Sequence, residues 1–190
     1  MVNNMEKTTK RMYILLVRSK SLPSKLIGFL AREGYTHAAL SFSSDCTELY
    51  SFARKYQNLP LPGSFAVETI YSGFLGKYPK TPCALYSFDV TEDICEKIYA
   101  DIMEVNRKRK IYKYNYLGLF LCWFGIKRVR KNKYFCSEFV AHTLKNAGAL
   151  DIKKHPSVFR PGDFQEIPEL DLIYEGNIEG LRNRTFINKI

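Results

Sequence analysis

Tyr134-Phe135-Cys136-Ser137-Glu138-Phe139-Val140-Ala141 is the stretch from which the rest of the chain is read. A cysteine stands where a helical pattern begins. Apolar groups recur at Cys136, Phe139, Val140, Leu144 and Ala147, the spacing of one helix face, and Gly148 follows as a C-cap. A thiol on the first turn feels the positive end of the helix dipole, and nearby cations favour its ionised form further. Those cations are concentrated upstream. Ten Lys and Arg and no acidic residue lie between Val105 and Ser137, so the entire net charge of +10 resides in the segment leading into Cys136.

A thiol nucleophile needs a base, and the chain offers three histidines. His142 lies six residues past Cys136, about 240° around the helix axis, and is assigned as an i, i+4 partner of Glu138. His155 precedes Pro156 in a Lys-rich loop. His37 is the remaining candidate. It opens a strand over 37–42, followed by the turn Ser43-Ser44-Asp45-Cys46 and a second strand over 47–53. A polar side chain on that second strand would orient the imidazole. Pairing about the turn puts Phe52 opposite His37, and a slip of one residue puts Ser51 there. Ser51 and Glu48 are the named candidates for a third member, with Tyr50 beside them and Glu68 further along the chain. Cys46, Cys83, Cys95 and Cys122 lack the combination of helix start, cationic approach and base. Singly, Cys136 and His37 are each more simply explained as structural residues.

The same residues carry a family resemblance. Phe135-Cys136-Ser137-Glu138-Phe139-Val140 resembles the Cys-Ser-Glu-hydrophobic-Val motif of circularly permuted papain-like proteins in the NlpC/P60 superfamily, the YiiX-like group. Thr36-His37-Ala38-Ala39-Leu40 is similar to the Thr-His-Val-Gly-Ile strand that precedes the cysteine there, and His before Cys is the permuted order. Leu49 to Arg54, Pro161-Gly162-Asp163-Phe164 and Leu172-Ile173-Tyr174-Glu175-Gly176 are weaker matches, so the resemblance spans most of Tyr13 to Gly176. It implies amide chemistry with Cys136 as nucleophile and His37 as base. The chain departs from the group at one position. A Glu usually precedes an Ala on the strand after the His strand, holding the imidazole tautomer, whereas Phe52 precedes Ala53 here.

With 190 residues, 46% of them hydrophobic, and no internal repeat, the chain suits one domain with a sizeable core. The expected domain runs over 12–178, with 1–11 and 179–190 as flexible or peripheral tails. Within it the pattern predicts strands over 12–17, 65–68, 84–90 and 171–174, besides the His37 hairpin. Helices are predicted around 24–32, capped by Ser24, from a Thr91 cap through Val105, and from Cys136. The expected class is α+β, an antiparallel sheet packed with helices and a nucleophile at a helix N-terminus; the resemblance sharpens this to a permuted papain-like fold.

Residues 116–126 form an apolar run flanked by Lys and Arg. Eleven residues are too few to cross a hydrocarbon core of about 30 Å, so the run either packs as a core helix, lies in a membrane interface or walls an acyl-chain pocket. Tyr134, Tyr50 and Tyr116 are candidate substrate contacts. An anionic or lipid-like substrate suits the basic segment; nucleic acid is not favoured, since no nucleic-acid motif accompanies it. No zinc-type Cys/His spacing and no glycine-rich phosphate loop occurs, so neither metal nor cofactor is expected. No secretory signal is visible and the cysteine count is odd, which points to a reducing cytoplasm. These readings converge on a thiol-dependent hydrolase cleaving a peptide, amino-acid conjugate or acyl-amide. The alternative is a noncatalytic or acyltransferase-like module holding an anionic lipid or acyl chain in the same cleft.

Overall fold

Met12-Tyr13-Ile14-Leu15-Leu16-Val17 shows no apolar/polar alternation, and the computed structural model explains why. It describes residues 8–18, 34–54 and 63–187. Strand β1 (Thr9–Val17) lies inside a six-stranded sheet between β2 (His37–Ser41) and β5 (Pro82–Thr91), and every one of its pairings is antiparallel. Both faces of this strand are covered by helices, so a near-continuous apolar run is what such a position requires. Met12, Ile14 and Leu16 enter the core on one face, and Leu15 and Val17 enter it on the other.

The sheet continues outward through β3 (Leu49–Arg54) to β4 (Gly63–Glu68) on one side and to β8 (Asp171–Asn177) on the other, in the order β4-β3-β2-β1-β5-β8. Helix α1 (Gly73–Lys77) contributes Leu75, and helix α5 (Ile178–Ile187) contributes Ile178 and Leu181, to the face shared with Leu15 and Val17. Helix α2 (Glu92–Arg107) covers the opposite face with Ile98 and Ile102. Helix α4 (Cys136–Ala147) joins it there with Phe139, Val140, Ala141 and Leu144. The architecture is α+β, with an antiparallel sheet between helical layers.

Between α2 and α4 the chain makes an excursion. Two short parallel strands, β6 (Lys113–Tyr114) and β7 (Lys133–Tyr134), close its base, and helix α3 (Tyr116–Trp123) rises from it. Strand β7 delivers the chain directly into Phe135 and Cys136, so closure of this base sets where α4 begins.

The Cys136 helix forms over the expected residues, with Gly148 in the left-handed region at φ 74° as its cap. Thr91 stands at the N-cap of α2. The expected tails are corrected at both ends. Thr9 to Arg11 belong to β1, whose pairing with β5 runs out to Thr9–Thr91. Residues 178–187 are helical, and Leu181 is 1% exposed, so α5 is anchored in the core. The helix expected around 24–32 falls outside the described residues.

Candidate active site

The β2–β3 ladder is the local feature that makes room for a site. Its pairing is confined to Leu40–Tyr50, so neither expected register, with Phe52 or Ser51 opposite His37, is the one formed. Beyond that pair the strands separate around Ala38. The Ala38 carbonyl takes a hydrogen bond from Ser51 Oγ at 2.7 Å, and the Ala38 N–H turns to the Cys136 sulfur. An opening in the sheet has thus exchanged two ladder bonds for one bond to a side chain and one to a thiol, leaving both backbone groups satisfied.

Cys136 occupies the first position of α4 and is 3% exposed. Its helix is fixed from below by Ser137, whose hydroxyl donates to the Phe159 carbonyl at 2.7 Å. It is fixed from the side by Glu138, whose carboxylate accepts from the Phe135 N–H at 3.3 Å and from Asn115 Nδ2 at 3.0 Å. The same Asn115 caps α3 by accepting from the Gly118 N–H at 3.0 Å. One buried amide therefore ties the start of the excursion helix to the first turn of the thiol helix.

The structure brings Cys136 and His37 into hydrogen-bond contact. The imidazole Nε2 is 2.9 Å from Glu68 Oε2, the last residue of β4, which leaves Nδ1 for the sulfur. Side-chain exposure is 19% at His37 and 24% at Glu68, so solvent meets the imidazole and carboxylate more than the thiol. Burial of the imidazole works against its charge. The field of Glu68 and the hydrogen bonds to Cys136 and Glu68 outweigh it, raising the His37 pKa to about 10. Burial likewise disfavours the thiolate. The hydrogen bond and charge of His37, with the Ala38 and Ser137 N–H groups, prevail and lower the Cys136 pKa. Both shifts run in the direction of an ion pair, a thiolate facing an imidazolium. Burial acts alone on Cys83, and dominates at Cys46 and Cys122, pushing each thiol up to about 12.

Several sequence expectations need correction at this point. Ser51 is 0% exposed and spent on the Ala38 carbonyl, and Glu48 accepts from the Tyr50 hydroxyl at 2.8 Å. Neither orients His37. Glu68 does, from a strand whose pairing with β3 ends at Leu49–Glu68. It ranks behind Ser51 and Glu48 in the sequence because hairpin reasoning looks first to the adjacent strand, while its own signal is a carboxylate closing the mostly apolar strand Gly63-Ser64-Phe65-Ala66-Val67-Glu68. The ten upstream cations are not the groups that act most strongly on the thiol; His37 and two backbone N–H groups are. His142 does not pair with Glu138. Its Nε2 meets Asn146 Nδ2 at 3.0 Å, and its ring lies 5.2 Å from that of Tyr134.

The candidate substrate tyrosines are placed as follows. Tyr50 is 4% exposed and belongs to the core, so it is withdrawn from a binding role. Tyr134 stacks on Tyr112 and packs against Phe52 and Phe139. Tyr116 packs on Tyr114, ring centres 4.6 Å apart, over Gly63. Among the described residues no group of His, Cys, Asp or Glu is arranged to hold a metal ion. No family model, no curated protein and no solved structure matches the chain.

Proposed function

We propose that the protein is a thiol-dependent hydrolase acting on an amide, with Cys136 as nucleophile, His37 as acid and base, and Glu68 as the residue that holds the imidazole. The observation that carries this reading is the hydrogen-bonded chain Cys136–His37–Glu68, with the sulfur at a helix start. The order of His on a strand before Cys on a helix, and the Cys-Ser-Glu-Phe-Val sequence, support a permuted papain-like fold of the NlpC/P60 type.

The chemistry follows from the charges. Cys136 Sγ attacks the acyl carbonyl, and the carbonyl electron pair moves to oxygen. The Cys136 N–H, at a helix position without an intrahelical acceptor, is the donor assigned to that oxyanion. As the C–N bond breaks, the His37 imidazolium transfers its Nδ1 proton to the leaving amine. The neutral imidazole then takes a proton from water, whose oxygen displaces the thiolate from the thioester, and the acid product leaves. Glu68 accepts from Nε2, holds that nitrogen protonated and aims Nδ1 at the sulfur.

p-Nitrophenyl acetate is a small acyl donor that tests this without knowledge of the substrate. Intact-mass and peptide analysis should find an acetyl group on Cys136 at neutral pH, absent in Cys136→Ala and formed about 100-fold more slowly in His37→Ala. Acetylation spread evenly over the five cysteines, or equal rates in His37→Ala, would refute the reading.

A further inference from the structure

Helix α3 is too short to span a bilayer, and no helix among the described residues is long and apolar enough to do so. Its two sides differ in kind. Gly118 and Cys122 are buried, and Cys122 packs with Val158 against Phe135, the residue before Cys136. The other side is apolar and faces solvent: Leu117 is 42% exposed, Phe120 50% and Phe124 66%. The rings of Phe120 and Phe124 touch at 5.1 Å between centres, and the following segment adds Ile126 at 50% and Val129 at 74%. Large apolar side chains exposed in series mark a surface that meets something other than water.

What they meet is indicated by charge. Lys127, Arg128 and Lys131 are interspersed with Ile126 and Val129, and Lys108, Arg109, Lys110 and Lys113 precede α3 in the chain. All seven are exposed, and no acidic residue occurs between Val105 and Ser137. Exposed apolar side chains interspersed with cations are complementary to an anionic bilayer surface, where acyl chains receive the hydrocarbon and headgroups receive the charge. A nucleic acid would offer phosphates to the same cations but no hydrocarbon to Leu117, Ile126 and Val129, whose aliphatic side chains are not platforms for base stacking. Tyr112 stacks on Tyr134 and Tyr114 packs on Tyr116 at a tilt, so these four rings are engaged with one another. The anchor is also held rigidly. Arg160 donates to the Trp123 carbonyl at 3.0 Å and lies 4.8 Å over the Trp123 ring, fixing the C-terminal end of α3.

We infer that the outer face of α3 and residues 124–131 form an interfacial docking surface for membranes bearing anionic phospholipid. The inference is independent of whether Cys136 is a nucleophile. It places the surface on a helix whose buried side contacts Phe135, so docking would bring the thiol site near the lipid phase.

The test is flotation of the full chain with vesicles of phosphatidylcholine, with and without about 30% phosphatidylglycerol. Trp123, the single tryptophan, supplies a second readout through its emission. Binding is expected to the anionic vesicles, with a blue shift of that emission, and to fall when salt is raised from about 0.1 to 0.5 M. Phe120→Asp/Phe124→Asp should weaken it by about tenfold or more, and Val129→Asp, at the most exposed site, should weaken it with no effect on the thermal midpoint. The proposal is overturned if the chain ignores anionic vesicles, or if these substitutions leave binding unchanged. It is equally overturned if a single-stranded RNA binds more tightly than the vesicles and Val129→Asp does not alter that preference.

Discussion

Cys136 is a thiol that solvent scarcely reaches, yet its charge is favoured, because the cost of burying a thiolate is met by an imidazolium and two backbone N–H groups. His37 and Glu138 both hold protons more tightly than in the unfolded chain, and their effects fall in different pH windows. His37 gains a partner and its pKa rises. Its contribution to stability is therefore fully present below its unfolded value of about 6.5 and is lost as pH climbs through about 10. Glu138 is 3% exposed, and burial pushes it up to about 7 against the pull of Asn115 and the Phe135 N–H. The folded chain then holds a proton that the unfolded chain releases near pH 4.3. Stability from this carboxyl is highest in acid and declines between about pH 4 and 7. Glu138→Gln keeps an acceptor for Phe135 and removes the titration. Its melting midpoint should lose the decline across that window and, at pH 8, exceed wild type by an amount equivalent to about 1–3 kcal/mol. Parallel midpoint-versus-pH curves for the two proteins would show that Glu138 is not the titrating group.

At the scale of elements, α4 was legible because its apolar spacing, its start and its glycine cap all agree, and local agreement of that kind survives folding. β1 and β2 were legible as strands because apolar, β-forming runs sit between loop signals. Register was not, since β2 and β3 pair only at Leu40–Tyr50 and the Ala38 N–H bonds the Cys136 sulfur, a contact between positions about a hundred residues apart. Glu68 was legible only as the more distant candidate, because it reaches His37 from β4, on the far side of β3. The apolar run 116–126 was expected as a core helix or an interfacial one, and α3 has both characters, a buried side and an exposed one. Phe139 is the packing centre of α4, with ring centres 5.2 Å from Phe52 and 5.6 Å from Phe65. Phe139→Ala should cost about 3–5 kcal/mol in denaturant unfolding; a loss below about 1 kcal/mol would mean the helix is not docked there. Gly63 is demanded by close approach. A Cβ there would lie 2.8 Å from the Tyr114 Cβ and the Tyr116 hydroxyl oxygen, and 3.0 Å from the Ala53 carbonyl. Gly63→Ala should therefore destabilise by about 1–3 kcal/mol, with urea unfolding as the check.

For the whole molecule, the sheet presents the imidazole from β2 and the carboxylate from β4, the helix α4 packed on it presents the thiol, and the net positive charge lies in the sequence from 105 to 137. Charge and chemistry are thereby separated. The cations are assigned to docking, and ionisation of the sulfur is assigned to a single histidine. That division is the central claim, and it is tested by the rate of iodoacetamide labelling of Cys136 against pH, followed peptide by peptide in wild type, His37→Ala and Glu68→Gln. The account predicts that wild-type labelling is nearly independent of pH from neutral pH up to about 10, where His37 gives up its proton. In His37→Ala the rate at pH 6.5 should fall by about 100-fold, because a thiol of ordinary pKa, about 8.5, is only about 1% ionised there. Glu68→Gln should fall between the two. A wild-type rate that climbs about tenfold per pH unit up to about 8.5, unchanged in His37→Ala, would contradict the thiolate–imidazolium pair and the hydrolase with it.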